Sequence, residues 1–204
     1  MAEFVAGWLS AFVAGAQSAG PAELIAVALG LAYIVLAIRQ HRGCWIAGGA
    51  STAIYIAVFL KAGLFLQAAL QVGYVVMSVY GWLAWSAGGD LAARPRSWPL
   101  SKHVLTLLAV LAATAASTPL LSQYTDSPAP FADSLGTWAS IAATWLLARR
   151  YLETWFWWMI IDSGLATLFA GQGLVFTAGL YLAFALLAIA GWRSWSRDFA
   201  KTAR

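Results

Sequence analysis

Long apolar runs separated by short polar or basic breaks fill most of the chain. Within each run the apolar residues are continuous rather than confined to one face, which is typical of helices that cross a membrane. Each run is close to the roughly 20 residues that a transmembrane helix needs. The pattern predicts seven spans at Ala22–Ile38, Gly43–Leu60, Leu64–Trp85, Val104–Leu121, Phe131–Ala148, Trp155–Ala170 and Leu174–Trp192.

The composition agrees with this pattern, since 62% of the residues are apolar and only 10% are charged. A soluble domain carries about 25% charged residues and would expose large patches at this apolar content. The net charge of +4 does not point to nucleic acid, because the basic residues lie at the ends of the apolar runs. We therefore expect one all-α membrane domain over residues 1–204, surrounded by a lipid bilayer.

The positions of the basic residues test the number of spans and predict an orientation. With seven spans, eleven of the twelve Lys and Arg residues fall on one side of the membrane, and only Lys61 falls on the other. One span more or fewer would mix the two sets. Because basic loops stay in the cytoplasm, the N-terminus is predicted outside and the C-terminus in the cytoplasm.

An internal repeat relates the two ends of the chain at a constant offset of 110 residues. Gly81-Trp82-Leu83-Ala84-Trp85 returns as Gly191-Trp192-Arg193-Ser194-Trp195, and Trp45, Gly63-Leu64 and Arg39 match Trp155, Gly173-Leu174 and Arg149. The offset aligns a first three-helix repeat at 22–85 with a second at 131–195 and leaves 104–121 as a linking helix. Both repeats then enter the membrane in the same direction, and a substrate is expected between them near mid-membrane.

Motifs of common enzyme and metal sites are absent from the sequence. The chain contains no Gly-x-x-x-x-Gly-Lys loop, no His-Glu-x-x-His helix and no Gly-x-Ser-x-Gly turn. Cys44 is the single cysteine, and His41 and His103 stand apart at loop ends, so no zinc cluster is expected. The sequence predicts neither an enzyme nor a protein with a metal or cofactor.

One acidic residue stands in the middle of a span and is the first candidate for chemistry. Asp162 lies about eight residues from each end of span 6, where a carboxylate costs roughly 2.5–3.5 kcal/mol and should face the bundle interior or a water-filled cavity. Trp155 and Trp158 precede it at helical spacing, so the three side chains share one face. Indole rings beside a carboxylate suit a flat, cationic heteroaromatic ring. The simpler alternative is a hydrogen bond from Asp162 to a neighbouring helix, with the tryptophans packing.

Further candidates for substrate binding lie in spans 3 and 7. Gln71 and Tyr74 belong to span 3, with Gln71 near mid-membrane, where a buried amide needs a partner. The offset of 110 makes Tyr181 equivalent to Gln71, so the repeats present polar groups at matching depth. An interhelical hydrogen bond explains these residues about as well. Tyr33 and Tyr55 are weaker candidates.

At these residues the sequence resembles a known family, the PnuC-type vitamin transporters. The family's signature tryptophans and the polar residue four positions on correspond to Trp155, Trp158 and Asp162, and its span-3 glutamine corresponds to Gln71. The resemblance covers about Glu23 to Trp195 and is carried by Gly81-Trp82-x-x-Trp85, Glu153-Thr154-Trp155-x-x-Trp158, Gly173-Leu174, Gly191-Trp192-x-x-Trp195 and Pro130-Phe131-x-Asp133.

The resemblance implies a homotrimer of seven-helix protomers in a bacterial inner membrane, related in architecture to the SWEET sugar transporters. It also implies facilitated diffusion of an unphosphorylated vitamin, which a cytoplasmic kinase then phosphorylates and so retains. Nicotinamide-riboside members carry Asn where this chain has Asp162, and relatives carry thiamine or riboflavin. We expect nicotinamide riboside first and thiamine second, because both are flat-ringed cations, whereas riboflavin is uncharged. A membrane-embedded vitamin-binding or scaffold protein without transport is the alternative.

Overall fold

A computed structural model describes residues 20–61, 65–87, 94–125, 129–171, 173 and 175–202, together with residues 7, 10, 13 and 14. Over these residues the fold is all-helical, and the pairing of Arg96 with Tyr151 is an isolated backbone bridge. The long helices, in chain order, are α1 (Pro21–Ile38), α2 (Gly43–Lys61), α3 (Phe65–Ser86), α4 (Leu100–Tyr124), α5 (Pro130–Ala148), α6 (Thr154–Gly171) and α7 (Val175–Thr202).

The seven long helices coincide with the seven predicted spans. The largest differences are that α4 begins at Leu100 instead of Val104 and that α7 continues from Trp192 to Thr202. The extension of α7 carries basic residues, which are good helix formers and are favoured near a helix C-terminus. Leu64 and Leu174, predicted to begin two spans, lie outside the described residues.

Five of the described helices, α1–α4 and α7, are long and apolar enough to cross a membrane by length and composition. The helices α5 and α6 have similar lengths but are more polar. α5 buries Ser134, Ser140 and Thr144, and α6 buries Asp162. These polar groups lie inside the protein, where they do not meet lipid.

The helices form two groups of three, with α4 at the periphery. Within the first group α1 packs on α2 and α2 on α3, and within the second α5 packs on α6 and α6 on α7. The groups meet where α3 contacts α5 and where α1 contacts α7, which are equivalent pairs under the predicted repeat. We call the end of the bundle that carries the turns at 39–42, 94–99 and 149–153 the basic end.

The helices α1 and α5 end at the basic end through the same turn, 110 residues apart. Gln40 and Arg150 follow these helices and adopt left-handed backbone conformations, with φ of 55° and 56°. At both turns the left-handed residue and the next one donate backbone hydrogen bonds of 2.9 Å to carbonyls three and five residues earlier, which is the Schellman arrangement. A left-handed conformation costs a non-glycine residue about 1–2 kcal/mol. The hydrogen bond from Arg150 Nη1 to Gln40 Oε1, at 3.1 Å, helps to hold both turns.

Two pairs of indole rings repeat one geometry in the core at the basic end. The ring centroids of Trp45 and Trp85 lie 5.5 Å apart at an interplanar angle of 87°. The equivalent rings of Trp155 and Trp195 lie 5.4 Å apart at 88°. Edge-to-face contacts of this kind stabilise aromatic cores.

The second indole of each pair also crosses to the opposite group of helices. Trp85 Nε1 donates to Ala148 O at 3.0 Å, at the end of α5. Trp195 Nε1 donates to Ala37 O at 3.2 Å, near the end of α1. Contacts, turns and hydrogen bonds thus recur at the same offset. They support the predicted duplication of a three-helix unit around a linking helix.

Candidate functional site

A cavity of about 280 Å³ lies between the two groups of three helices. All of the long helices except α4 contribute to its described lining. Lining residues such as Ser51, Ser140 and Asp162 come from the middle of their helices. The cavity therefore lies at mid-depth, which is where carriers built from two repeats bind their substrates.

The six residues predicted as substrate contacts all line this one cavity. The helix α6 supplies three of them, α3 supplies two and α7 supplies one. They are Trp155, Trp158, Asp162, Gln71, Tyr74 and Tyr181. Side chains from both groups of three helices thus meet at a single place.

Asp162 is the charged group of the cavity. Its relative exposure is 3%, and it forms no hydrogen bond or ion pair with any residue that the structure describes. None of the described residues that line the cavity is Lys, Arg or His. The alternative of an Asp162 carboxylate held by a neighbouring helix therefore finds no partner in the described bundle, and the carboxyl group remains available to a ligand.

The two predicted tryptophans differ in their surroundings. Trp158 lies one helical turn before Asp162 and is only partly buried. Trp155 has a relative exposure of 3% and packs its ring against Trp195 and the backbone of Gly191. Trp158 thus offers a ring surface to the cavity, whereas Trp155 closes the cavity toward the basic end.

Several small hydroxyl residues in the lining were not predicted from the sequence. They are Ser51, Thr52, Ser140 and Thr144. Serine and threonine are common inside membrane helices because their hydroxyls bond to the backbone one turn earlier, as Thr144 Oγ1 does to Ser140 O at 2.7 Å. Residue type alone therefore gave no signal.

The offset of 110 residues would have found most of the unpredicted lining. With two exceptions, every described lining residue has a partner in the lining at this offset. The partners are often unlike: Gly48 is equivalent to Trp158, and Thr52 is equivalent to Asp162. The second repeat therefore supplies the ring and the carboxylate, and the first supplies space and hydroxyls. Such a cavity suits a ligand with two different ends.

A polar network lies beyond the cavity at the basic end. The Arg150 guanidinium stacks 3.9 Å over the Trp85 ring and donates to Gln40 Oε1 at 3.1 Å. Gln40 Nε2 in turn donates to Asp198 Oδ2 at 2.8 Å. Burial lowers the pKa of Arg150 to about 10, so the group remains a cation at neutral pH. The network joins α1, α7 and the α5–α6 turn, and it closes this end of the bundle.

Replacing Gln40 by alanine is expected to destabilise the protein by about 1–3 kcal/mol, because the buried Arg150 cation loses its side-chain acceptor. Thermal unfolding of the purified protein in detergent measures the effect. Arg39→Ala, at the exposed neighbouring position, serves as the control and should leave the unfolding temperature nearly unchanged. Equal effects of the two substitutions would contradict a stabilising role for the network.

A family model described as nicotinamide mononucleotide transporter matches residues 20–197. The chain belongs to this family. The predicted resemblance to PnuC-type transporters is thereby confirmed, and the protein is a multi-pass transporter of the bacterial inner membrane rather than an enzyme.

Two curated relatives of this transporter carry different names. The nicotinamide riboside transporter PnuC of Escherichia coli is 26% identical over 200 residues, covering 85% of this chain and 84% of the relative. The riboflavin/roseoflavin transporter RibM of Streptomyces davaonensis is 27% identical over 197 residues, covering 92% and 91%. Relatives named for different vitamins match this chain almost equally, so its own cargo must be argued from its cavity.

The fold of this family member is also that of a solved structure. A crystal structure of the vitamin B3 transporter PnuC superimposes with a TM-score of 0.74 at 19% identity, covering 98% of this chain and 89% of the other. The predicted all-α membrane architecture is confirmed by this similarity.

Proposed function

We propose that the protein takes up an unphosphorylated, cationic B-type vitamin, with nicotinamide riboside as the first candidate. The observation that carries the proposal is the unpaired Asp162 carboxyl group beside the Trp158 ring, inside a cavity between two equivalent halves. A carboxylate attracts a cation, and an indole face attracts a flat, electron-poor ring. Nicotinamide riboside has both features in a single ring.

The charge of the cavity argues for a substrate without phosphate. Phosphate groups are usually bound by Arg, Lys or helix N-termini. None of the described lining residues is basic, and Asp162 would repel a phosphate. The polar groups that remain, such as Gln71, Tyr74 and Tyr181, suit the hydroxyls of a sugar. A nucleoside fits this set better than a mononucleotide does.

Thiamine is the second candidate, because it is also a flat-ringed cation and would satisfy Asp162 equally well. Riboflavin, for which one relative is named, is uncharged and would leave the carboxyl group unpaired. A binding or scaffold protein without transport is the further alternative. Two equivalent three-helix units around a mid-depth cavity favour a carrier over it.

For the transport cycle we propose that one three-helix unit rocks against the other. The units meet along α3–α5 and α1–α7, and these contacts would separate alternately at the two ends of the bundle. The basic end is proposed to face the cytoplasm, with the N-terminus outside. Downhill entry followed by phosphorylation by a cytoplasmic kinase would retain the vitamin. A homotrimer, implied by the family resemblance, completes this proposal.

Counterflow in reconstituted vesicles tests the proposed function. Vesicles loaded with unlabelled nicotinamide riboside should transiently accumulate the labelled compound, and the loading should be repeated with thiamine and with riboflavin. We expect accumulation with a cationic vitamin and little with riboflavin. Specific binding without counterflow would support the scaffold alternative, and counterflow of riboflavin alone would contradict the role given to Asp162.

Trp158→Ala is expected to weaken binding of the preferred vitamin by about 10-fold or more, since stacking on an aromatic face contributes about 1–3 kcal/mol. Trp158→Phe keeps a ring and should recover most of this loss. Calorimetric titration of both variants measures the difference. If alanine and phenylalanine gave equal affinities close to the wild-type value, the ring would not contact the ligand.

A further inference from the structure

We propose that the carrier exchanges its cationic substrate for a proton held on Asp162. In the empty carrier the side chain is the neutral carboxylic acid, and the arriving cation displaces its proton. This inference rests on the proposed function, since it requires a cationic substrate in the same cavity.

The burial of Asp162 gives the first reason. The side chain has a relative exposure of 3%, lies in the middle of α6 and has no hydrogen-bonding or ionic partner among the described residues. An uncompensated carboxylate inside a bilayer costs several kilocalories per mole. Binding a proton removes that charge when no other cation is present. Binding a cationic substrate removes it equally well, so the two cations compete for one site.

The groups that face Asp162 from the other helices do not supply a positive charge. The titratable groups of the described lining are phenols: Tyr33 from α1, Tyr55 from α2, Tyr74 from α3 and Tyr181 from α7. The helix α5 adds the hydroxyls of Ser140 and Thr144. Phenols and hydroxyls are uncharged at neutral pH, so none of them compensates a carboxylate as a cation does.

The buried cation Arg150 is already engaged elsewhere. Its guanidinium stacks on Trp85 and donates to Gln40, which in turn bonds to Asp198. Arg150 is not part of the cavity lining. The cation that could have neutralised Asp162 permanently is therefore held in the closure at the basic end. The cavity is left with a carboxyl group whose charge depends on what occupies it.

The exchange balances in atoms and in charge. When the substrate cation enters, the O–H bond of the Asp162 carboxyl group breaks and the proton passes to water in the cavity, leaving a carboxylate paired with the cation. When the substrate leaves on the other side, a proton from that side binds again. One cation therefore moves inward for each proton that moves outward. The substrate gradient still drives uptake, and a pH gradient adds to it.

Calorimetric titration with nicotinamide riboside and with thiamine, in buffers of low and high ionisation enthalpy, tests the proposal. For the ligand that binds, the measured enthalpy should change with the buffer in proportion to the protons released, up to one per ligand and closer to one as the pH is lowered. Affinity should fall by up to about 10-fold per pH unit under acidic conditions. Binding without proton release at any pH would overturn the exchange and leave the proposed function standing. Absence of binding by both vitamins would overturn the proposed function itself.

Two variants separate Asp162 from other acidic groups. Asp162→Asn cannot release a proton and should bind with an enthalpy that does not change with the buffer, whereas Asp133→Asn, outside the cavity, should behave like the wild-type protein. Infrared difference spectra cover the case in which Asp162→Asn fails to bind. Ligand binding to the wild-type protein should remove a carboxylic acid band that is already missing from Asp162→Asn. A wild-type spectrum without this loss would overturn the proposal.

Flux into vesicles tests the charge balance of the whole cycle. With the membrane potential clamped by a potassium ionophore, uptake should be insensitive to the imposed potential and faster into vesicles with an acidic interior. Uptake that follows an inside-negative potential and ignores the pH gradient would show that the cation moves alone, and this would overturn the exchange.

Discussion

Asp162→Ala is expected to weaken binding of the cationic vitamin on the order of 100-fold or more and to abolish saturable uptake. A desolvated ion pair typically loses about 2–5 kcal/mol when one partner is removed, because the other charge is left buried and unpaired. Here the unpaired charge would be the substrate's own, since no described lining residue is basic or can take the place of the carboxylate.

Binding and uptake should be measured together with the stability of the empty protein. Asp162 has no partner in the described bundle, so its removal should leave the unfolding temperature unchanged or raise it. Glu23→Ala removes an acidic residue in the first turn of α1, away from the cavity, and should preserve both affinity and uptake. Normal uptake by a folded Asp162→Ala protein would refute the role assigned to this carboxyl group.

Gly191→Ala is expected to destabilise the protein by about 3 kcal/mol or more, at the upper end of the range for overpacked cores. A Cβ atom at this position would lie 2.4 Å from atoms of the Trp155 ring. The ring cannot easily move, because it is buried and packs edge-to-face on Trp195. Gly81→Ala should have an equal effect, since its Cβ would lie 2.3 Å from the Trp45 ring.

Thermal unfolding in detergent measures both glycine variants against a matched control. Gly73 also lies inside a helix, but a Cβ there would meet nothing within 4 Å. Gly73→Ala should therefore be neutral or stabilising by up to about 1 kcal/mol, as alanine favours helix over glycine. Similar unfolding temperatures for Gly73→Ala and Gly191→Ala would contradict the close packing. A large difference between Gly81→Ala and Gly191→Ala would contradict the equivalence of the two repeats.

The positions of the helices were predictable because lipid imposes a simple rule on the sequence. A chain that crosses a bilayer needs about 20 apolar residues for each helix, and the seven runs gave helix ends close to the observed ones. The left-handed turns at Gln40 and Arg150 were not predictable in this way. Neither residue is glycine, and both conformations depend on backbone bonds and on a mutual hydrogen bond between residues 110 apart.

The charged part of the candidate site was also predictable, since a carboxyl group in the middle of an apolar run must turn inward. The spacing of Trp155, Trp158 and Asp162 placed all three on one face, as the structure shows. The spacing did not separate Trp158 from Trp155, because only packing against Gly191 distinguishes the two rings. The contribution of Gly48 and Thr52 was also hidden, since small residues leave space and space has no pattern in a sequence.

The structure of the protein in complex with nicotinamide riboside tests the central claim most directly. The account predicts density for the nicotinamide ring against Trp158, with its positive charge next to Asp162 and the ribose toward Gln71 and Tyr181. Thiamine in the same position would keep the site and change the assigned cargo. Saturating concentrations of both vitamins with an empty cavity, or a ligand bound elsewhere, would contradict the account.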